Sequence, residues 1–379
     1  MTTRRILHVL SSRRLTGVAE PVLGMLRALA ARGHTVELAC RRGSKLCIRA
    51  HELDVPVWDG LRLPRGLSPV ANVLDVRSLR RHIDETRPEL IHLHLSRDHW
   101  LGALAVRGMP GAPPLVVHNH TPRPLRSDRL HRKLYARVSG IVEVSGNTFN
   151  DDIDVHEGVR ALVFLPGAVD VEALRPVHDP RVRARLGLPE DAVVVAMWSR
   201  LDPDRKHVVL MEAFAELKDE FPRAFLLFAG GGEHKKVLVA EAERLKIADR
   251  LVIAGRNDLS FDESRAVTDV LVQLAQGSDG SMRTILEGMA SGLPVLAADV
   301  GVAAEYLLDG QSGMLVSSAH AKLVAAKLRG LLSDVALRER IGCAAREYVV
   351  EYHNRPLQAE RLEQFYEEVL SPPAPRQNG

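Results

Sequence analysis

Short apolar runs built almost wholly of Val, Ile, Leu and Ala recur along the chain, each followed by a stretch with helical spacing. This alternation constrains the fold more than any other feature. The runs are RILHVLS, TVELAC, ELIHLHL, PLVVH, GIVEVS and ALVFL, then VVVAMW, AFLLFA, LVIAG, DVLVQL, PVLA and GMLV. Strand and helix in alternation predict parallel sheets. Runs with so few polar residues predict strands covered by helices on both faces. The chain has 379 residues, and at roughly 150 residues per domain the expectation is two doubly wound, Rossmann-like α/β domains.

Each half opens with strand, loop, helix. In the first, Thr16 and Gly17 are cap candidates, Pro21 falls in the first turn, Val18, Val22, Met25, Leu26 and Leu29 have helical spacing, and Gly33 ends the helix. In the second, VVVAMW leads through the polar loop SRLDPDRKH into VVLMEAFAELKDEF. The stretch LPGAVDVEALRPVHDPRVRARLGLPED carries four prolines and no long apolar period, which places the linker near 167–189. The first domain is then 1–170 and the second 171–353, with a disordered tail, SPPAPRQNG, at 371–379. Two such domains on one linker face each other across a cleft, where parallel sheets bind ligands at their strand ends.

Composition narrows the function. Residues 1–170 hold 25 Lys and Arg against 17 Asp and Glu, whereas 171–379 hold 26 against 31. The basic half suits anionic lipid or a phosphorylated acceptor, and equally a solvated arginine-rich surface. Aromatics make up 4% of the chain and none interleave with basic residues in a recognition motif, so no nucleic-acid partner is expected. No apolar run approaches the roughly 18 residues of a membrane span, and MTTRRILHVLSS reads as a first strand rather than a signal peptide. Cys40, Cys47 and Cys343 are odd in number and lack C-x-x-C spacing, as expected of reduced thiols. The expected location is the cytoplasm, with peripheral contact at the inner face of the membrane left open.

Residues 278–316 carry the most chemistry. Asp279 and Gly280 precede a helix holding Glu287 eight positions after Asp279, and SGLPV opens the next strand. A loop leading into a helix start presents free backbone N–H groups and the positive end of the helix dipole, a setting for a diphosphate. This segment resembles the E-x7-E region of the retaining glycosyltransferases of family 4, which share the GT-B fold. The resemblance covers almost the whole chain. SRLDPDRKHVVLMEAF is similar to the family's basic loop and following helix, with Arg200 at its arginine and Arg205 at its lysine. FLLFAGGGEHKKVLVAEAERLKIADRLVIAGR resembles the strands and glycine turn that follow, and ILHVLSSRRLTGVAEPVLGMLRALAARGHTVEL, RPELIHLH, VVHNHT, GIVEVS and LPGAVDVEALRP fall in the family's order.

The resemblance implies a nucleotide-sugar-dependent transferase with GT-B architecture, its acceptor in the first domain and donor in the second. It also implies a last helix at 354–370 that crosses back to the first domain, and domain closure that excludes water. A departing nucleoside diphosphate gathers negative charge, which cations stabilise more in the transition state than in the ground state. Arg200 and Arg205 are the candidates, with Lys206 more readily a solvated loop cation. The resemblance gives Asp279 the sugar and Glu287 the ribose, since a carboxylate accepts directed hydrogen bonds. Gly17, Gly280, Ser281, Met282, Arg283 and Thr284 join them around the donor, with base contacts from backbone near Gly255 and Arg256. His120 takes the position of the family's histidine at a strand end, two residues after His118. Retention of anomeric configuration and no metal cofactor are implied too. The pairs His92/His94 and His118/His120 have a spacing that can share an ion, but no further ligand is fixed by spacing. The D-x-D pairs Asp202/Asp204 and Asp152/Asp154 read as caps.

Four positions depart from the family pattern. Asp279 stands where a glutamate is usual, TGVAE replaces the glycine-rich entry, Pro166 to Asp170 read PGAVD, and Ser281 and Met282 replace an aromatic and a glycine. They fit a specialised donor pocket, or a chain that has lost catalysis and keeps the fold as a binding partner; apart from them, the remaining alternative is an epimerase acting on a nucleotide sugar.

Overall fold

The computed structural model describes residues 2–371 except 14, 16, 65–67, 122, 152–158, 256 and 277–278, and for 151 and 279–282 the backbone alone. Asp152, Asp154 and the tail from 372 on lie outside the described residues. The chain divides into two compact units. One comprises Met1–Gly167, Ser278–Gly280 and the chain from Arg355 onward, the other Ala168–Gly277 and Ser281–Asn354.

The first unit holds a seven-stranded sheet: β1 Arg5–Val9, β2 Thr35–Arg41, β3 Val57–Leu61, β4 Leu90–Leu93, β5 Leu115–Asn119, β6 Gly140–Glu143 and β7 Ala161–Phe164. Its order is β3-β2-β1-β4-β5-β6-β7, every pairing parallel. The second holds six: β8 Val193–Trp198, β9 Ala224–Ala229, β10 Leu251–Ala254, β11 Val270–Gln273, β12 Val295–Ala298 and β13 Met314–Val316, ordered β10-β9-β8-β11-β12-β13 and also parallel. Each sheet reverses its winding at one internal junction, β1 with β4 and β8 with β11, the crevice where doubly wound sheets take ligands. The central strands β4, β5, β6 and β11 are buried at every position, which is why they read as continuous apolar runs.

The first helix spans Ala19–Ala31, and its N-cap is Val18, with no side-chain cap. The expected cap at Thr16 or Gly17 is thereby corrected: Thr16 lies outside the described residues, and Gly17 sits in the turn before Val18. Packing secures this helix instead, because Val22, Leu23, Leu26 and Leu29 are fully buried, each worth roughly 1.5 to 3 kcal/mol. Gly33 ends it at φ +95°, a conformation that favours glycine. Within the expected linker stretch a short helix forms at Pro180–Arg185, with Asp179 capping Arg181 N–H.

The last helix, Arg355–Leu370, packs on the first unit. Ala359, Leu362, Phe365, Tyr366 and Val369 join the core built by Leu23, Leu26, Val116 and Val142. Arg4 ties Glu367 at 2.7 Å and Arg32 Nε donates to Glu363 at 2.7 Å. The fit is close: a Cβ on Gly140 would stand 2.7 Å from both Phe365 Cζ and Val369 Cγ2. Among the described residues no helix is long and apolar enough to cross a membrane.

Candidate active site

In the second unit two loops leave neighbouring strand ends at the winding reversal. The first follows β8, runs through a 3-10 turn at Pro203–Arg205, and passes into helix His207–Ala215. Lys206 makes the junction at φ +65°. The second follows β11 and enters helix Asp279–Ala290. The basic loop and the start of a long helix therefore flank the same end of the same strand pair, which can take an anion between cations and a helix N-terminus.

The basic loop is pinned by the glycine turn after β9. Leu201 N–H donates to Gly231 O at 3.1 Å, and His234 N–H donates to Leu201 O at 3.2 Å. A Cβ on Gly230 would lie 2.0 Å from Ser199 O, and one on Gly232 2.2 Å from Leu201 O. Both glycines are needed for the approach of the two backbones, while nothing lies within 4 Å of a Cβ on Gly231. Ser199 Oγ meets His207 Nε2 at 3.1 Å. Burial pushes the His207 imidazole down to about 4, so it is a neutral hydrogen-bond partner.

Arg200 is exposed and pairs with Asp202 at 2.9 Å, whereas Arg205 is half-buried and Lys206 exposed. Asp202 holds the N-cap place of the 3-10 turn but makes no side-chain cap. Its carboxylate goes to Arg200, which corrects the cap expected there. On helix Asp279–Ala290, Ile285, Leu286, Met289 and Ala290 are fully buried, and Glu287 is 9% exposed. Arg283 Nε meets Glu287 Oε1 at 2.8 Å, one turn away. These two expected donor contacts are thus partners of each other, and Thr284 beside them is half-buried. The side chains of Asp279, Ser281 and Met282 lie outside the described residues, as do Arg256 and the surroundings of Gly280. The base contact expected at Gly255 meets a committed backbone: its N–H donates to Asp258 Oδ2 at 2.9 Å and its carbonyl accepts from Asp258 and Leu259.

His120 belongs to the first unit, at the end of β5, and stands in an array the sequence only partly showed. His8 on β1 is registered opposite His92 on β4. Side chains two apart share a sheet face, so His92 and His94 line up, as do His118 and His120. All five are at most 3% exposed. His8 Nδ1 lies 3.0 Å from His94 Nε2, His94 Nδ1 lies 2.9 Å from His120 Nε2, and His92 Nδ1 lies 2.6 Å from the Tyr366 hydroxyl. The His118 ring stacks on His120 with centroids 3.7 Å apart and planes 11° apart. Burial pushes His8 down to about 3, and it holds His92, His94 and His118 well below the usual imidazole range. His8 gave no signal in the sequence, because a lone histidine in an apolar strand acquires neighbours only through sheet register.

Two triads, His8/His92/His94 and His94/His118/His120, bring ring nitrogens within 4.8 Å of one another. A metal takes imidazole lone pairs that converge in the ring planes. Here four of the nitrogens face each other in pairs, and His118 lies flat against His120.

Two buried carboxylates brace this strand-end region. Asp98 accepts from Ser11 N–H at 3.1 Å and Leu95 N–H at 3.0 Å, which joins the loop after β1 to helix Ser96–Ala105. Burial pushes its carboxyl up to about 7. Glu143, at the end of β6, accepts from Asn119 at 2.9 Å and Thr148 at 2.8 Å. Neither stood out in the sequence, since a lone acid at a strand end or in the first turn of a helix has the look of an ordinary capping residue.

Comparison with known proteins bears on both units. The pattern of the family described as Glycosyl transferases group 1 matches residues 179–348, and that of the Glycosyl transferase 4-like domain matches 16–145. The chain is 32% identical over 292 residues to a D-inositol 3-phosphate glycosyltransferase of Nocardioides, covering 68% of this chain and 63% of that one. The chain thus spans less than two thirds of that relative. It is 31% identical over 336 residues to a GDP-mannose-dependent alpha-(1-6)-phosphatidylinositol monomannoside mannosyltransferase of Mycolicibacterium smegmatis, covering 80% of this chain and 87% of the relative. Among solved structures, a glycosyltransferase from Rickettsia africae superimposes with a TM-score of 0.83 at 20% identity over the full length of both chains. Anabaena HepE, solved with UDP and glucose, gives 0.78 at 20% identity, covering 96% of this chain and 99% of that one. Two parallel sheets in the GT-B manner, a basic loop and a long helix at one winding reversal, and family patterns over both units make this chain a member of the group 1 glycosyltransferases.

Proposed function

We propose that the protein transfers a sugar from a nucleotide-diphosphate sugar to a polysaccharide, lipid-linked or small-molecule acceptor, with retention of anomeric configuration and no divalent metal. The observation that carries this reading is the shared position of the Ser199–Lys206 loop and helix Asp279–Ala290 at the β8/β11 junction. There the diphosphate lies at the helix start, and Arg200 and Arg205 meet the charge that grows on it as the glycosidic bond breaks. A hydrogen bond to a charged group is worth roughly 1.5 to 3 kcal/mol, so loss of either arginine slows turnover about ten- to a hundredfold. Glu287, oriented by Arg283, takes the ribose, Asp279 takes the sugar, and His120 meets the reacting end of the donor. With no dedicated nucleophile assigned, the departing phosphate takes the acceptor's proton on the face it leaves, and the configuration is kept.

Both relatives named above carry inositol or its phosphates in their names, and the first 170 residues of this chain are basic. These features favour a phosphorylated acceptor, free or at a membrane surface. Calorimetric titration with UDP, GDP, ADP and CDP, on the wild type and on Arg200→Ala and Glu287→Ala, tests the donor site. One nucleotide binding, weakened by both substitutions, supports it, and no binding by any of the four overturns it. Product anomer analysis by NMR tests retention, and full turnover in excess EDTA tests independence from metal.

A further inference from the structure

The three histidines His8, His94 and His120 form a chain with a direction. Each neutral imidazole has one N–H and one lone pair, so two N···N contacts in series, at 3.0 and 2.9 Å, are satisfied only if all the protons point the same way. The rings suit this. His8 and His94 are 14° from parallel with centroids 5.2 Å apart, and His94 and His120 are 33° apart at 5.2 Å, the edge-to-edge spacing of hydrogen-bonded imidazoles. His118, stacked on His120 at 3.7 Å, restrains rotation of the last ring.

The closed end of the chain sets the direction. His8 Nε2 is fully buried and has no hydrogen-bond partner among the described residues. A buried N–H without an acceptor is costlier and rarer than an unused lone pair. The His8 proton therefore sits on Nδ1 and is donated to His94 Nε2. That leaves the His94 proton on Nδ1, donated to His120 Nε2. The same dead end means the chain has no outlet on the β1 side, so it fixes orientation and does not conduct protons.

We propose that the His8–His94–His120 chain holds His120 in the tautomer protonated at Nδ1, with Nε2 taken up by His94, so that His120 does not serve the transfer as a base through Nε2. His94 and His8 are then positioning residues that act through His120. The inference rests on the reading that puts His120 at the reacting end of the donor, and it adds the direction of its hydrogen bond.

The test is 15N NMR of the intact protein with labelled histidine rings at neutral pH, the His120 signals being identified by their loss in His120→Asn. The expected result is a protonated Nδ1 and an unprotonated, hydrogen-bonded Nε2 in the wild type. His8→Asn, whose amide nitrogen falls near the place of Nδ1, keeps that pattern. His8→Leu lets His120 populate both tautomers and lowers kcat about tenfold with KM little changed, as expected for a group that acts mainly in the transition state. A proton on Nε2 in the wild type, which needs no variant to fold, overturns the inference whatever the activity. An unchanged His120 tautomer in a folded His8→Leu protein also overturns it. A His120→Ala enzyme with wild-type turnover overturns the placement of His120 instead, and leaves the tautomer measurement standing.

Discussion

Arg283 and Glu287 lie one turn apart on helix Asp279–Ala290 and meet at 2.8 Å, with Glu287 almost wholly covered. Removing the arginine leaves a covered carboxylate without that cation. Arg283→Ala is expected to lose about 1 to 2 kcal/mol, the scale of one charge-assisted contact in a pair that keeps some exposure. Glu287→Gln added to Arg283→Ala recovers part of that loss. Thermal unfolding of the two variants checks this, and equal midpoints contradict it.

The glycine turn against the basic loop gives a sharper contrast. Gly230→Ala and Gly232→Ala force a methyl into backbone carbonyls at 2.0 and 2.2 Å, whereas Gly231→Ala meets nothing within 4 Å. The first two are expected to cost about 1 to 3 kcal/mol by overpacking and to displace Arg200, weakening nucleotide binding. Gly231→Ala stays near wild type in both. Similar effects at all three positions would remove the role given to the close backbone approach.

Gly140 has the same relation to the last helix. Gly140→Ala places a methyl 2.7 Å from Phe365 and Val369, and the expected outcome is a helix Arg355–Leu370 that detaches more often, at a cost of about 1 to 3 kcal/mol. Faster limited proteolysis between residues 350 and 356 is the measurement, and an unaltered digestion rate argues against it.

His207 predicts a pH dependence. Its folded value is depressed to about 4 by burial, against about 6.5 when unfolded. Above 6.5 both states are neutral, so its contribution is fully present there and is lost as pH falls towards 4, because only the unfolded chain takes up the proton. Between pH 6.5 and 5 the loss from this one group is about 2 kcal/mol. His207→Gln, which keeps a partner for Ser199 Oγ, is expected to show a shallower loss of stability over that interval in denaturant titrations. Parallel curves for wild type and variant would show that His207 titrates freely when folded.

Twelve of the thirteen strands among the described residues were legible as apolar runs, since a strand buried on both faces leaves little room for any other composition. The thirteenth, β3, reads VWDGL, and four of its five residues are only half-buried. It is an edge strand with an irregular register at Arg41, and such strands lack the apolar signature. Helix Pro180–Arg185 escaped for a related reason: six residues with two apolar positions hold no period, and its signal was the Asp179-Pro180 start. The candidate site was legible where neighbours in sequence are neighbours in space, as with His118 and His120. It was not legible where sheet register brings together His8 and His92, or where the glycine turn after β9 closes on the loop after β8.

The return of helix Arg355–Leu370 to the first unit fixes an order of assembly. The stretch 168–354, with every strand of its sheet, leaves the ribosome before the residues that finish the first core. Until Phe365, Tyr366 and Val369 emerge, the face formed by Leu23, Leu26 and Gly140 has no cover, and His92 lacks its Tyr366 partner. Domains fold as they are synthesised, so the half that is translated first is completed last. Ordered first-unit structure, its histidine array included, thereby becomes a report that synthesis has passed Val369.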